Sequence, residues 1–293
     1  MKTIQIERRN EIDEQTFRKE YLQTRTPLIF KSFCKNWPAM EKWNYSFFRS
    51  NYGNLDIPVS GDWSKKNATQ INRGVDYSMK FRDFLTEIEN GPTDYRLFAF
   101  NLIKSKPELK NDFNYPSFAM RWLKMPYLFF GGEGSNVRLH YDFDHSDVFL
   151  TQFYGRKKIT LFSPEYSTLL YRQPLTTHSH LDLTSIEFQK DPTYPFLTCL
   201  TGEIEEGDTL FIPACFWHFI EYETSGFSMA LRSLNSSNVE AIKGAINVLF
   251  YTPLDGIIGK IAPKKWENHK LTTAKTNAIR AIETQDKKFE QGT

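Results

Sequence analysis

The chain reads as a mainly β protein with flanking helices, an antiparallel sandwich or barrel rather than a βαβ fold. Three observations predict this. Short apolar or alternating runs, bounded by turn residues, follow one another from Arg96 to Leu231. No helical pattern of ordinary length interrupts residues 127–232, which removes the crossover helices that a parallel sheet requires. Helical periodicity is confined to the two ends, before Arg96 and after Asn235.

In chain order, Ile12, Phe17, Tyr21 and Leu22 recur at helical spacing over residues 12–24, and Thr26-Pro27 stops that helix. Leu28-Ile29-Phe30 follows as a short buried strand. After Trp37-Pro38 and Trp43, a second helix is predicted over Tyr45–Tyr52, closed by Gly53. Met79–Ile88 is a third, amphipathic helix, ending at Asn90-Gly91-Pro92. The predicted strands are then Leu97–Ile103, Tyr127–Phe130, Val148–Tyr154, Lys158–Phe162, Thr209–Ile212, Trp217–Tyr222 and Phe227–Leu231. Gly131-Gly132-Glu133-Gly134, Gly155-Arg156, Gly207-Asp208 and Ser225-Gly226 supply the turns. Helical spacing resumes at Val239, Ile242, Ile246 and Leu249-Phe250, and continues through Ile257–Ile261 and Trp266–Ile282. The polar end Thr284–Thr293 is expected to fray. With no repeat or linker to cut the chain, one domain is expected over residues 1–293. Its core covers about 95–235, with an N-terminal elaboration over 1–94 and a C-terminal helical extension over 236–293.

The hydrophobic fraction of 40% and charged fraction of 25% are those of a globular protein, and 293 residues can bury a sizeable core. A net charge of only +2 gives no global electrostatic case for nucleic acid or an anionic membrane. Cys34, Cys199 and Cys215 lack C-x-x-C spacing, which argues against a disulfide framework or a cysteine zinc site and for a reducing compartment. The first residues, Met1 to Arg9, carry no apolar signal core, and no run approaches the ~20 apolar residues of a membrane span. A cytoplasmic location is the resulting expectation.

Chemistry enters through two segments, Leu139-His140-Tyr141-Asp142 and Phe211-Ile212-Pro213-Ala214-Cys215-Phe216-Trp217-His218. Two imidazoles and one carboxylate on one side of a metal leave the opposite positions open, the ligand set of non-haem Fe(II) oxygenases. H-x-D alone is weakly selective, because the chain holds three: His140/Asp142, His145/Asp147 and His180/Asp182. Context favours the first. It follows a predicted strand and a glycine-rich turn, and residues i and i+2 of a strand share a face. His145 and Asp147 read as loop residues, and His180 lies in the polar stretch Thr176–Leu183. His145, His178, His180 and His269 are therefore expected to be solvated surface histidines. Gly207-Asp208 opens a hairpin whose return strand begins at Trp217-His218, able to face His140 across a barrel.

Taken in order, Leu139-His140-Tyr141-Asp142, Gln152 to Pro164 with Gly155-Arg156-Lys157, Gly207 to Pro213, and Trp217-His218 resemble the JmjC/cupin-like (cupin_8) family. Its members are Fe(II)- and 2-oxoglutarate-dependent oxygenases and include the asparaginyl hydroxylase that inhibits hypoxia-inducible factor. Pro27 to Phe30, Trp37 to Trp43 and Lys106-Pro107-Glu108-Leu109 extend the similarity over residues 12–235. The resemblance implies a double-stranded β-helix (jelly-roll or cupin) core with helical elaborations. It assigns iron to His140, Asp142 and His218, and the far carboxylate of 2-oxoglutarate to Lys157. Lys158 points to the opposite face of a regular strand. The chain departs from the family in a longer loop between Asp142 and Gln152 and in Val137, where a hydroxyl residue is common. Tyr95 or Arg96 stands nearest to the usual aromatic hydroxyl, and Arg232 or Ser233 where an aromatic or Asn is common. Arg232 is a further candidate anion contact for co-substrate or substrate, with a buried structural ion pair the alternative.

The implied activity is that of an Fe(II)- and 2-oxoglutarate-dependent dioxygenase, a hydroxylase rather than a chromatin demethylase. It would consume O2, hydroxylate a C–H bond of a protein side chain or small-molecule substrate, and release succinate and CO2. A metal-dependent cupin enzyme without 2-oxoglutarate, and a non-catalytic cupin-like binding module, are the alternatives. No nucleic acid or membrane partner is expected. The C-terminal helices either pair two chains as a homodimer or pack within one chain.

Overall fold

The computed structural model describes residues 1–31, 33–61, 76–118, 120–235 and 237–291. Its first strands are β1 (Lys2–Gln5), β2 (Glu7–Arg9), β3 (Leu28–Phe30), β4 (Asp56–Val59), β5 (Tyr77–Lys80) and β6 (Arg96–Phe100). The core strands follow as β7 (Arg121–Gly131), β8 (Asn136–His140), β9 (Asp147–Tyr154) and β10 (Lys157–Phe162). They are completed by β11 (Thr198–Ile204), β12 (Thr209–Ile212), β13 (Trp217–Tyr222) and β14 (Gly226–Leu234).

One sheet has the order β2-β3-β12-β9-β14-β7-β6 and the other β1-β11-β10-β13-β8. From β7 onward the chain passes back and forth between the two sheets, save that β10 and β11 pair within the smaller one, and the core pairing is antiparallel, which is the wiring of a double-stranded β-helix. The N-terminus adds edges that pair in parallel, β1 on β11 and β2 on β3. These edge strands, β8, β11 and the β4–β5 hairpin go beyond the seven strands and the buried Leu28–Phe30 strand predicted from periodicity.

Period-two alternation sorts the strands into three packed layers. Inward residues are aliphatic: Val148 and Leu150 on β9, Ile159 and Leu161 on β10, Leu210 and Ile212 on β12, Ile220 on β13. Outward residues of the larger sheet are aromatic and meet the N-terminal helices. Phe149 and Phe211 lie 5.7 and 5.0 Å from Phe17, and Phe227 and Phe130 stack at 4.9 Å. Each such ring removes enough apolar surface from water to contribute about 1.5–3 kcal/mol. The smaller sheet's outer face, with Leu139, Phe162, Trp217 and Phe219, is covered by residues around Leu169 to Phe188 and by Ala274 and Ala278 of the last helix.

The helices also shift from the predicted limits. Residues 14–22 split into an α-turn, Glu14–Phe17, capped by Asp13 on the Thr16 N–H, and a wider π-turn, Arg18–Leu22. Tyr45–Tyr52 is helical as predicted, with Asn44 capping Phe47. The third helix starts at Phe81 because Tyr77–Lys80 pairs with β4. The strand expected over Leu97–Ile103 stops at Phe100. Ala99 takes a left-handed φ of 50°, the register slips, and Asn101 caps a short helix, Leu102–Ser105. Beyond the core, helical segments cover Asn238–Ile246, Asn247–Tyr251, Thr252–Ile261 and Pro263–Gln291. The last continues past Thr284 rather than fraying there, while Gly292 and Thr293 lie outside the described residues. Among the described residues, no helix is long and apolar enough to cross a membrane.

Candidate metal centre

His140 ends β8 and stands opposite His218 near the start of β13. Regular alternation does not bring Val137 and His140 to the same face. The ladder pairs His218 with His140 but Ile220 with Val137, so three steps along β8 match two along β13. This β-bulge turns both Val137 and His140 inward and leaves Leu139 in the outer layer. Asp142 follows just past the strand end. The metal-ligating atoms of His140, Asp142 and His218 all lie within 4.8 Å of one another, and the two imidazole centroids are 4.1 Å apart.

Each imidazole is oriented by its own backbone. His140 Nδ1 lies 2.7 Å from the Arg138 carbonyl oxygen, and His218 Nδ1 lies 3.1 Å from that of Phe216. A carbonyl accepts only, so each Nδ1 carries the proton and donates it, and each Nε2 keeps a lone pair for a metal. Burial lowers the pKa of both histidines, for His140 reinforced by His218 and His178, which keeps them neutral ligands. Burial alone would push the Asp142 carboxyl up. Arg232, by its charge and its hydrogen bond, is the main cause that outweighs it, and the carboxyl is held at about 2, so the third donor is ionised.

Arg232 is inward-facing on β14. Its Nη2 donates to Asp142 at 3.0 Å, and its Nη1 donates to both oxygens of Asp144 at 3.2 Å. The guanidinium named as a further anion contact is thus taken up by two carboxylates, the buried ion pair that was the alternative. Its position fixes Asp142.

Across the cavity, Lys157 opens β10. It is only 1% exposed. Its Nζ donates to Ser228 Oγ at 2.5 Å and sits 4.4 Å from the centroid of the Tyr222 ring. Among the described residues no carboxylate pairs with it, and burial pushes its pKa well below that of an ordinary lysine. Lys158 points outward towards Glu221, 4.0 Å away. Gly155 permits the turn that delivers this lysine. Its φ is +74°, and a β-carbon there would come within 2.1 Å of the Ser225 carbonyl oxygen. The small inward residues Ser228 and Ala230 leave space beside Lys157, and Phe98 and Phe129 line the same cavity as the three metal-binding candidates. A dicarboxylate with one end at the metal can place the other on this uncompensated ammonium. The residues present therefore fit both groups.

Several other expectations change. His145 is buried, with Nδ1 3.1 Å from Glu240 and Nε2 2.9 Å from Asn247. His178 is not a solvated surface residue: it stacks on His140 at 5.2 Å and forms an isolated bridge with it. His180 is half-buried against Tyr171, whereas His269 is exposed. Asp147 is buried at the start of β9 and accepts from the Ala214 N–H. Thr176–Leu183 is consequently a cover over β8, not a free surface excursion. Sequence reasoning missed Asp144, Tyr222 and Ser228. The inward phase of β14, read back from Arg232 through Ala230 to Ser228, is the signal that could have found the last.

Comparison with known proteins agrees with this architecture. The chain is 26% identical over 243 residues to lysine-specific demethylase JMJ30 of Arabidopsis thaliana, covering 77% of this chain and 54% of that protein. It is 26% identical over 238 residues to lysine-specific demethylase 8 of Danio rerio, covering 73% and 54%. It is also 24% identical over 245 residues to tRNA wybutosine-synthesizing protein 5 of Gallus gallus, covering 77% and 76%. The chain spans little more than half the length of the demethylase relatives. The cupin-like domain family matches residues 14–253, a stretch that includes every strand from β3 to β14. With that stretch far exceeding half the chain, and with the two-sheet wiring that the match implies, this protein belongs to the cupin-like domain family.

Proposed function

We propose that this chain is an Fe(II)- and 2-oxoglutarate-dependent dioxygenase that hydroxylates a C–H bond of a protein side chain or small molecule. The observation that carries the reading is the pairing of a neutral His140, ionised Asp142 and neutral His218 with a buried lysine, Lys157, that has no carboxylate partner among the described residues, across one cavity. When bound, iron and 2-oxoglutarate supply the oxidising chemistry, one atom of O2 entering succinate and the other the substrate. The chain's own residues do the rest. His140, Asp142 and His218 occupy one side of the metal, Lys157 and Ser228 orient the distal carboxylate, and the aliphatic walls at Val148, Leu150, Ile212 and Ile220 exclude water. Phe98, 40% exposed at the rim, offers substrate an aromatic edge.

The relatives' names include lysine demethylation and tRNA modification, so substrate class is the open variable of this proposal. Incubation with Fe(II), ascorbate and 2-oxoglutarate, scored for succinate, tests it against lysine-bearing peptides, free amino acids and tRNA. Substrate-dependent succinate together with a product 16 mass units heavier supports hydroxylation. Release of formaldehyde from a methylated peptide redirects the proposal to demethylation, and turnover without 2-oxoglutarate overturns it.

The proposal extends to a homodimer. Val239, Ile242, Ile246, Leu249, Phe250 and Ile257 are all exposed on consecutive C-terminal helical segments, more apolar surface than a solitary chain ordinarily leaves in one place. Sedimentation should give a dimer that Ile242→Asp with Phe250→Asp converts to monomer; a monomeric wild type would refute the extension.

A further inference from the structure

A second cluster of metal-binding side chains lies beside the first, built from three separate elements. His145 comes from the loop between β8 and β9, Cys215 from the turn between β12 and β13, and Glu240 from the first turn of the helix Asn238–Ile246. Their ligand atoms all lie within 4.8 Å of one another. His145 is buried, while Cys215 and Glu240 are half-buried. Cys215 is a free thiol. Glu240 engages Lys243 through Oε1 at 2.7 Å, which leaves Oε2 directed at His145 Nδ1, 3.1 Å away.

The backbone sets the cluster apart from a chance hydrogen bond. Both loop residues hold left-handed backbone, His145 at φ 51° and Cys215 at φ 64°. For residues other than glycine that conformation costs on the order of 1 kcal/mol or more and persists where surrounding structure enforces it. Here it aims both side chains at one point. Asn247 Nδ2 donates to His145 Nε2 at 2.9 Å, and Nδ1–H donates to Glu240 Oε2. A cation taken up at Nδ1 displaces that proton, and a turn of the Asn247 amide then lets its oxygen accept from Nε2–H.

We infer that His145, Cys215 and Glu240 form a second metal site, for a borderline-soft divalent cation of the zinc type. One thiolate, one imidazole and one carboxylate suit that ion, and water completes a tetrahedron. Bonds of ~2.0 to 2.3 Å place tetrahedral donors about 3.3–3.8 Å apart, so modest rotation of Cys215 and Glu240 closes the present spacing. Burial pushes the thiol pKa up to about 11, opposed by Arg25, so binding displaces the thiol proton to solvent. The site was hidden from the sequence because its cysteine belongs to no C-x-x-C pair. It is independent of the oxygenase proposal. Its effect is mechanical, since the cation staples the segment after Asp142, the segment before His218 and the C-terminal helices to one another.

Cobalt(II) titration of chelator-treated full-length protein tests this, because only the second site contains sulfur. The wild type should take up two equivalents and develop a near-ultraviolet thiolate-to-cobalt band. The His140→Ala/His218→Ala variant should take up one equivalent and keep the band. Cys215→Ser should take up one equivalent without it. As a check that needs no substitution at the cluster, equimolar zinc should raise Tm in the His140→Ala/His218→Ala background. Absence of the band in the wild type, or no Tm shift in that background, would overturn the inference and leave His145–Glu240 as a hydrogen bond alone, whereas a single equivalent that keeps the band would count against the first site instead.

Discussion

The two ends of the cavity treat charge in opposite ways. At the metal end every ionised group has its partner: Asp142 is matched by Arg232, and Arg232 is balanced again by Asp144. At the far end Lys157 is buried and, among the described residues, meets a hydroxyl and an aromatic face but no carboxylate. Burying an uncompensated cation is costly, and a fold retains it where something else brings the anion. The chain itself completes the first end and leaves the second to a ligand.

Removing a donor at the finished end should have the largest effect. His140→Ala, Asp142→Ala or His218→Ala should abolish iron uptake and turnover together, as read by metal analysis and succinate release. Retention of either would show that the charge-balanced end is not the metal end.

Next in size is Lys157→Met. Loss of a buried charge partner should raise the KM for 2-oxoglutarate by about 30-fold or more while leaving iron binding intact. The ligand-free variant should melt at a higher temperature than the wild type, because the unpaired ammonium is gone. A wild-type protein more stable than the variant without 2-oxoglutarate would show that burying Lys157 unpaired carries no such cost.

The same lysine predicts a pH dependence. Its folded-state pKa is depressed, so between that value and its unfolded value of ~10.4 the unfolded chain binds more protons. Stability without ligand should therefore rise with pH towards about 10 and fall below it, a slope that 2-oxoglutarate or Lys157→Met flattens. Urea unfolding across pH measures it.

Smaller effects belong to the ion pairs. Arg232→Gln should weaken metal binding by about 10- to 100-fold, as expected when a ligand loses its orienting partner. Asp142 contributes stability above its unfolded pKa of ~3.9, and this is lost as pH falls towards about 2. Without Arg232 that window should move upward, so iron is released at a higher pH. Asp144→Asn, one step further out, should change affinity by less than Arg232→Gln does.

How much of this was readable in advance follows from locality. β9 and β12 announce themselves because an inward aliphatic alternates with an outward aromatic, as at Val148-Phe149-Leu150, whereas β7, β10, β13 and β14 are legible as short apolar or alternating runs between turn residues. β11 did not, since Thr198 to Ile204 mixes Cys, Gly and Glu into its alternation. The convergence of His140, Asp142 and His218 could be anticipated from their strand context. The burial of His145 and His178 could not, because it depends on the C-terminal helix and on residues 176–183 folding over β8. The engagement of Arg232 by Asp144 likewise joins residues 88 positions apart.

The extra residue in β8 has a consequence of its own. Because three residues there span two on the neighbouring strand, the half of β8 joined to the Gly131–Ser135 turn is out of phase with the half that carries His140. The facing of His140 is therefore set by its own pairing with His218 and not by the phase in which the strand leaves the turn.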